Sequence, residues 1–159
     1  MHKSAVMQPL VSSIAVLALL AAPLAALASD GHIMVLPDQL KWTDVPSLPP
    51  GAKIAVIEGS MSQPGSFTVR LKFPASYQIP AHSHPAIERV TVLSGTFHMG
   101  SGDKLDKSKT HALPAGGIVI IPPGSNHFAW TAEETVVQLN GIGPWGVTYA
   151  DPANDPRKK

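Results

Sequence analysis

Apolar and polar residues alternate in short stretches along this chain. Residues 67–73, Phe67-Thr68-Val69-Arg70-Leu71-Lys72-Phe73, are apolar at every second position. Successive side chains of a strand point to opposite faces, so this run predicts a half-buried strand with Thr68, Arg70 and Lys72 turned to water. Residues 53–58, 88–93, 117–121 and 135–139 are further β-rich runs. Ser94-Gly95 separates residues 90–93 from 96–99 and reads as a hairpin turn. Pro122-Pro123-Gly124 and Gly141-Ile142-Gly143-Pro144 read as turns as well. No long segment keeps a helical period, and the polar residues 103–109 read as a loop or a single helical turn. Many short strands separated by turns predict an all-β sandwich or small barrel in a single domain.

The amino-terminal end follows a different pattern. Lys3 is followed by an apolar run over residues 10–27, which closes on Ala26-Leu27-Ala28. A basic start, an apolar middle and a small-residue exit predict a secretory signal peptide cleaved after Ala28. The expected location is therefore periplasmic or secreted, with no stable membrane insertion after cleavage. Residues 29–51 would hold an N-terminal strand near Trp42 and a Pro-rich linker, 52–150 the barrel, and 151–159 a polar, solvated tail.

Composition narrows the partners. There are 12 Lys+Arg against 11 Asp+Glu. Loss of Lys3 would leave the mature chain balanced, with no basic stripe for phosphates, so nucleic acid is not an expected partner. The sequence has no Cys, which excludes disulfides, thiolate metal sites and a cysteine nucleophile. Its 16 prolines are too many for a helical bundle.

The chemistry-bearing residues fall in two segments. In His82-Ser83-His84-Pro85-Ala86-Ile87-Glu88, two histidines at i and i+2 share one face of an extended chain, and a carboxylate follows. Imidazole and carboxylate together suit a first-row divalent metal. Alone, such a pair is as simply read as two surface histidines. The second segment, residues 116–127, is an apolar strand, a Pro-Pro-Gly turn and His127. A lone histidine after a turn is equally an exposed or a core residue.

Taken in order, the two segments resemble the paired motifs of the cupin family. His82, His84, Glu88 and Gly95 fit H-x-H-x3-E-x6-G, and Gly116, Pro122, Gly124 and His127 fit G-x5-P-x-G-x2-H. Residues 142–149 are also similar to the end of small exported single-domain cupins. One departure is Thr131, where the family often has Asn, which puts one structural hydrogen bond in question. The resemblance implies a cupin-type jelly-roll β-barrel holding one divalent first-row transition metal ion (Fe, Mn, Cu, Ni, Co or Zn). His82, His84, Glu88 and His127 would be its ligands, and Glu88 would also shuttle a proton.

Other residues are assigned by alternation. Gln138 interrupts an apolar strand and either lines the pocket or faces solvent. His98 and Arg89 should point away from the barrel interior, and His32 and His111 should lie on the surface. Phe128 and Trp130 should pack opposite His127, between the sheets or at a subunit contact. Trp42 and Trp145 read as core or dimer anchors. The expected function is that of a metalloenzyme acting on a small molecule, with dioxygenase-type oxidation favoured. The alternatives are a metal-dependent isomerase or lyase, and a non-catalytic metal or small-ligand module. A homodimer is expected, through pairing of the Trp42 strand with a neighbour's sheet edge.

Overall fold

The alternating run at residues 67–73 forms the strand Gly65–Phe73 (β3), with Phe67, Val69, Leu71 and Phe73 buried. The computed structural model describes residues 31–159, so the expected signal segment lies outside the described residues. Residues Ile33–Lys159 fold as one unit of two antiparallel sheets. In the six-stranded sheet, Thr43–Asp44 (β1), Lys53–Glu58 (β2) and β3 lie in order. Thr135–Gly143 (β10), Glu88–Ser94 (β5) and Ile118–Ile121 (β8) follow. The five-stranded sheet runs Thr148–Tyr149 (β11), Gln78–Ser83 (β4), His127–Trp130 (β9), Thr96–Ser101 (β6) and His111–Pro114 (β7). This is the all-β, jelly-roll type of architecture the sequence led one to expect.

The inner faces meet in one apolar core. Val90, Val92, Val137 and Leu139 join the β3 residues from one sheet, and Ile79, Phe97, Met99 and Ala129 face them from the other. Phe73 stacks between Tyr77 and Phe97, with ring centroids 5.4 and 5.8 Å away. Side chains from two pleated faces interdigitate in this way because each strand offers every second residue inward.

Four local expectations are corrected. Ser94-Gly95 is not a hairpin turn, because β5 and β6 belong to different sheets. It is a corner where the chain crosses between layers. Gly95 has φ +74°, and a Cβ there would lie 2.6 Å from Glu134 O and Thr135 Oγ1, so only glycine fits the crossing. Residues 141–143 do not turn; they continue β10, and a Cβ on Gly141 would meet the Phe67 ring at 2.5 Å. That glycine admits a neighbouring ring instead of a bend.

The Pro-rich segment is not a spacer. Leu48 is buried in the core, Tyr149 Oη donates to Ser47 O at 2.8 Å, and Tyr77 Oη donates to Pro49 O. β1 pairs with β2 of its own chain, and Lys72 lies over the Trp42 ring at 4.7 Å. The strand expected to reach a neighbour is thus used within the chain. The tail is not free either. Arg157 makes two hydrogen bonds to the Asp155 carboxylate, at 2.7 and 2.8 Å, and one to Val147 O at 2.9 Å.

Phe128 and Trp130 do point away from His127, but neither sits between the sheets. Residues 101–110 of the same chain cover them. The Phe128 ring lies against Gly100, and Trp130 stacks on His98 at 3.9 Å and donates to Thr110 Oγ1 at 3.2 Å. Thr131, at the position where the family often has Asn, makes a structural hydrogen bond of its own. It is buried, and its Oγ1 donates to Pro74 O at 2.8 Å.

If residues 45–52 are part of the folded barrel, Leu48→Ala should lower the unfolding free energy by about 2–5 kcal/mol, the range for emptying a buried leucine site. Urea denaturation measures this, and an unchanged midpoint would return the segment to the status of a linker.

Candidate metal centre

Three histidines reach the inner space from the five-stranded sheet. His82 and His127 are direct cross-strand neighbours on β4 and β9. The β4–β9 register shifts between Ile79 and His82, so Ala81 and His82 are both buried although they are adjacent. Such a bulge re-aims a side chain, and here it brings His82 to the inner face after Ile79 has packed into the core. His84 follows one residue beyond β4. One ring nitrogen from each of His82, His84 and His127 lies within 4.8 Å of the other two. Glu88 opens β5 on the facing sheet, and its Oε2 lies 3.3 Å from His84 Nε2 and 3.2 Å from His127 Nε2. All four side chains are buried.

The orientation of each ring is fixed from behind. His82 Nδ1 meets Pro80 O at 2.7 Å, His84 Nδ1 meets Gly146 O at 2.7 Å, and His127 Nδ1 meets Ser125 O at 2.9 Å. A carbonyl oxygen only accepts, so each Nδ1 carries the hydrogen. In the neutral rings every Nε2 is then a bare lone pair, and those of His84 and His127 face the Glu88 carboxylate. Lone pairs facing a carboxylate repel unless a cation or a shared proton lies among them. With these outer hydrogen bonds, the three-histidine group could hold a metal ion. His84 Nε2 is buried without a hydrogen-bond partner, as an atom reserved for a metal would be. The residues present therefore fit a divalent ion, with imidazole and carboxylate donors that suit first-row metals.

The protonation equilibria point the same way. Burial, reinforced by His127 and His84, lowers the His82 pKa to about 3. Burial alone would raise that of Glu88, and only a donated hydrogen or positive charge on the His127 and His84 rings, the part a bound cation would take, holds the carboxyl down at about 2. A neutral imidazole and an ionised carboxylate are the metal-ready forms.

A cavity of about 60 Å³ adjoins the cluster, walled by core residues of both sheets and by Val45 and Leu48. Trp145 forms part of the wall. Its ring stacks on His84 at 3.8 Å with planes 17° apart, and its edge meets Phe67. Sequence reading missed this role, since nothing near residue 145 marks a contact with residue 84. Of the two placements open to Gln138, the structure takes the outer one and not the pocket. The residue lies on the outer face of β10, where it accepts a 3.3 Å hydrogen bond from Arg70, while its neighbours Val137 and Leu139 face the cavity. Arg89, His32 and His111 are exposed, as expected.

Two antiparallel sheets closing on three imidazoles and a carboxylate define a cupin-type barrel. The chain belongs to the ChrR cupin-like domain family, whose model matches residues 30–145. No curated protein matches it in sequence. Among solved structures, the polyketide cyclase RemF from Streptomyces resistomycificus is similar with a TM-score of 0.64 at 15% identity, over 79% of this chain and 89% of that one. A candidate acetylacetone dioxygenase from Methylibium petroleiphilum PM1 gives 0.60 at 19% identity, over 81% and 88%. An RmlC-like cupin from Shewanella frigidimarina NCIMB 400 gives 0.56 at 18%, over 70% and 90%. At these identities the likeness establishes the fold.

The shifts of His82 and Glu88 set the acid limit of the metal-free protein. Unfolded, His82 titrates near 6.5 and Glu88 near 4.5. Between about 3 and 6.5 the unfolded chain binds the His82 proton and the folded one does not, and Glu88 behaves alike between about 2 and 4.5. Stability therefore falls as pH drops below 6.5 and is fully present above it, with a few kcal/mol at stake for a buried group. Melting temperatures of chelator-treated protein from pH 7 to pH 4 should decline through this window. His82→Gln should flatten the decline above pH 5, and an unaltered slope would remove His82 as its source.

Proposed function

We propose that this chain is an exported cupin metalloprotein that oxidises a small molecule in a dioxygenase-type reaction at a mononuclear site held by His82, His84, Glu88 and His127. The observation that carries the reading is the set of three imidazoles with Nδ1 tied to backbone carbonyls, two of their Nε2 atoms lying 3.2–3.3 Å from a buried carboxylate. A bound first-row ion would supply Lewis acidity and, if redox-active, electron exchange with dioxygen. The chain's own part is to hold the rings, exclude water with the apolar wall, and offer Glu88 Oε2 as a proton acceptor beside the reacting molecule. The resemblance in fold to a candidate acetylacetone dioxygenase and to a polyketide cyclase supports small-molecule chemistry of this kind.

Export belongs to the same reading. It is supported by the basic, apolar and small-residue succession ending at Ala28, and the family match begins just after it, at residue 30. So does a homodimer: β8 ends its sheet without a neighbour and leaves Ile118 and Ile120 exposed, an edge suited to a second copy.

Elemental analysis of protein purified without a metal-binding tag should find about one first-row ion per chain, and His127→Ala should lower that about tenfold or more, since loss of even a ligand's hydrogen-bond partner costs roughly 10–100-fold in affinity. Unchanged metal in the variant would remove the site assignment. Oxygen uptake with a panel of phenols and diketones should need the loaded metal. Metal without turnover across the panel would make the chain a binding module. A monomer in sedimentation velocity would discard the dimer alone.

A further inference from the structure

The cavity beside the cluster is selective by what its wall lacks. Besides the three histidines and Glu88, the polar side chains that line it among the described residues are Ser47 and the Trp145 indole, with no Lys or Arg among them. The basic residues of β3 show why. Arg70 and Lys72 alternate with the cavity-lining Val69 and Leu71, so they lie on the outer face. Among the described residues two buried side-chain polar atoms have no hydrogen-bond partner, His84 Nε2 and Trp145 Nε1. They belong to two rings stacked 3.8 Å apart, and both residues line this cavity. A buried N–H without an acceptor is costly and marks a place where an acceptor is expected.

Resting on the metal reading, we propose that the cavity takes a small oxygen-bearing molecule with an apolar body and at most one negative charge, and that Trp145 Nε1–H is its hydrogen-bond donor. Size follows from a cavity of about 60 Å³, room for a handful of heavy atoms. Charge follows by count. A divalent ion beside one carboxylate leaves about +1, which one anionic oxygen neutralises, while a second would be buried facing no cation. Dicarboxylates and phosphate esters are thereby disfavoured.

Pentane-2,4-dione and malonate share a C(O)–CH2–C(O) core and a similar size, and malonate carries a charged oxygen where the dione carries each methyl group. Protein loaded with nickel(II), with the metal counted first, is titrated with each by calorimetry. The dione should bind at least about tenfold more tightly than malonate. Equal or tighter malonate binding would overturn the charge assignment. Trp145→Phe keeps an aromatic ring on His84 and removes the N–H. It should weaken the dione about tenfold, the effect of losing one buried hydrogen bond, at unchanged nickel content. Unchanged dione affinity, or loss of nickel from the variant, would overturn the role given to Trp145. Wild-type protein that takes up no nickel would instead overturn the metal reading, and the two failures are told apart by that first count.

Discussion

Everything in this barrel is arranged around a repulsion. Lone pairs on two imidazoles face a carboxylate oxygen at hydrogen-bond range, out of contact with water. None of the rings can turn away, because each is held at its other nitrogen by a backbone carbonyl. A rotatable cluster would relieve itself by swapping donor for acceptor. This one cannot, so the requirement for a positive charge at its centre is built into the main chain. The acceptors come from three separate places: residue 80 within β4, residue 125 before β9, and residue 146 beyond β10. The polypeptide on three sides of the site must therefore be in place before the site exists.

Much of this was legible in one dimension, because it rests on short-range rules. The alternation of β3 and the i, i+2 relation of His82 and His84 are local consequences of an extended backbone. The run over residues 53–58 matches β2 in both bounds. What escaped depends on where the chain goes next. Residues 90–99 look like a hairpin, and a glycine between two β-rich runs cannot say whether the second strand pairs with the first or leaves for another layer. Gly95 takes the second course because β6 finds β9 and β7. Gly141 has the composition of a turn, yet its lack of a side chain serves the Phe67 ring opposite.

The same reasoning covers the missed wall of the site. The sequence separation of Trp145 from His84 hides a stack that only the paths of the intervening strands create. Leu48 and the tail residue Arg157 are comparable cases, at opposite ends of the fold. Each lies in a stretch whose proline and charge content suggest exposure, and each is fastened by a partner outside that stretch: Tyr149 and Tyr77 hold residues 47–49, and Val147 receives Arg157. Both fastenings converge near residues 145–149, the stretch that carries Trp145.

The cluster draws its members unequally from the two layers, three rings from one sheet and one carboxylate from the other. Oily contact between the layers has no preferred direction and would let them slide a little past one another. The four polar groups have strict directions and work like a key in a slot. Any drift of one layer along the other would be felt at Glu88, whose oxygen reaches the rings of the facing sheet, so the alignment of the sandwich is tied to the point where its chemistry would occur.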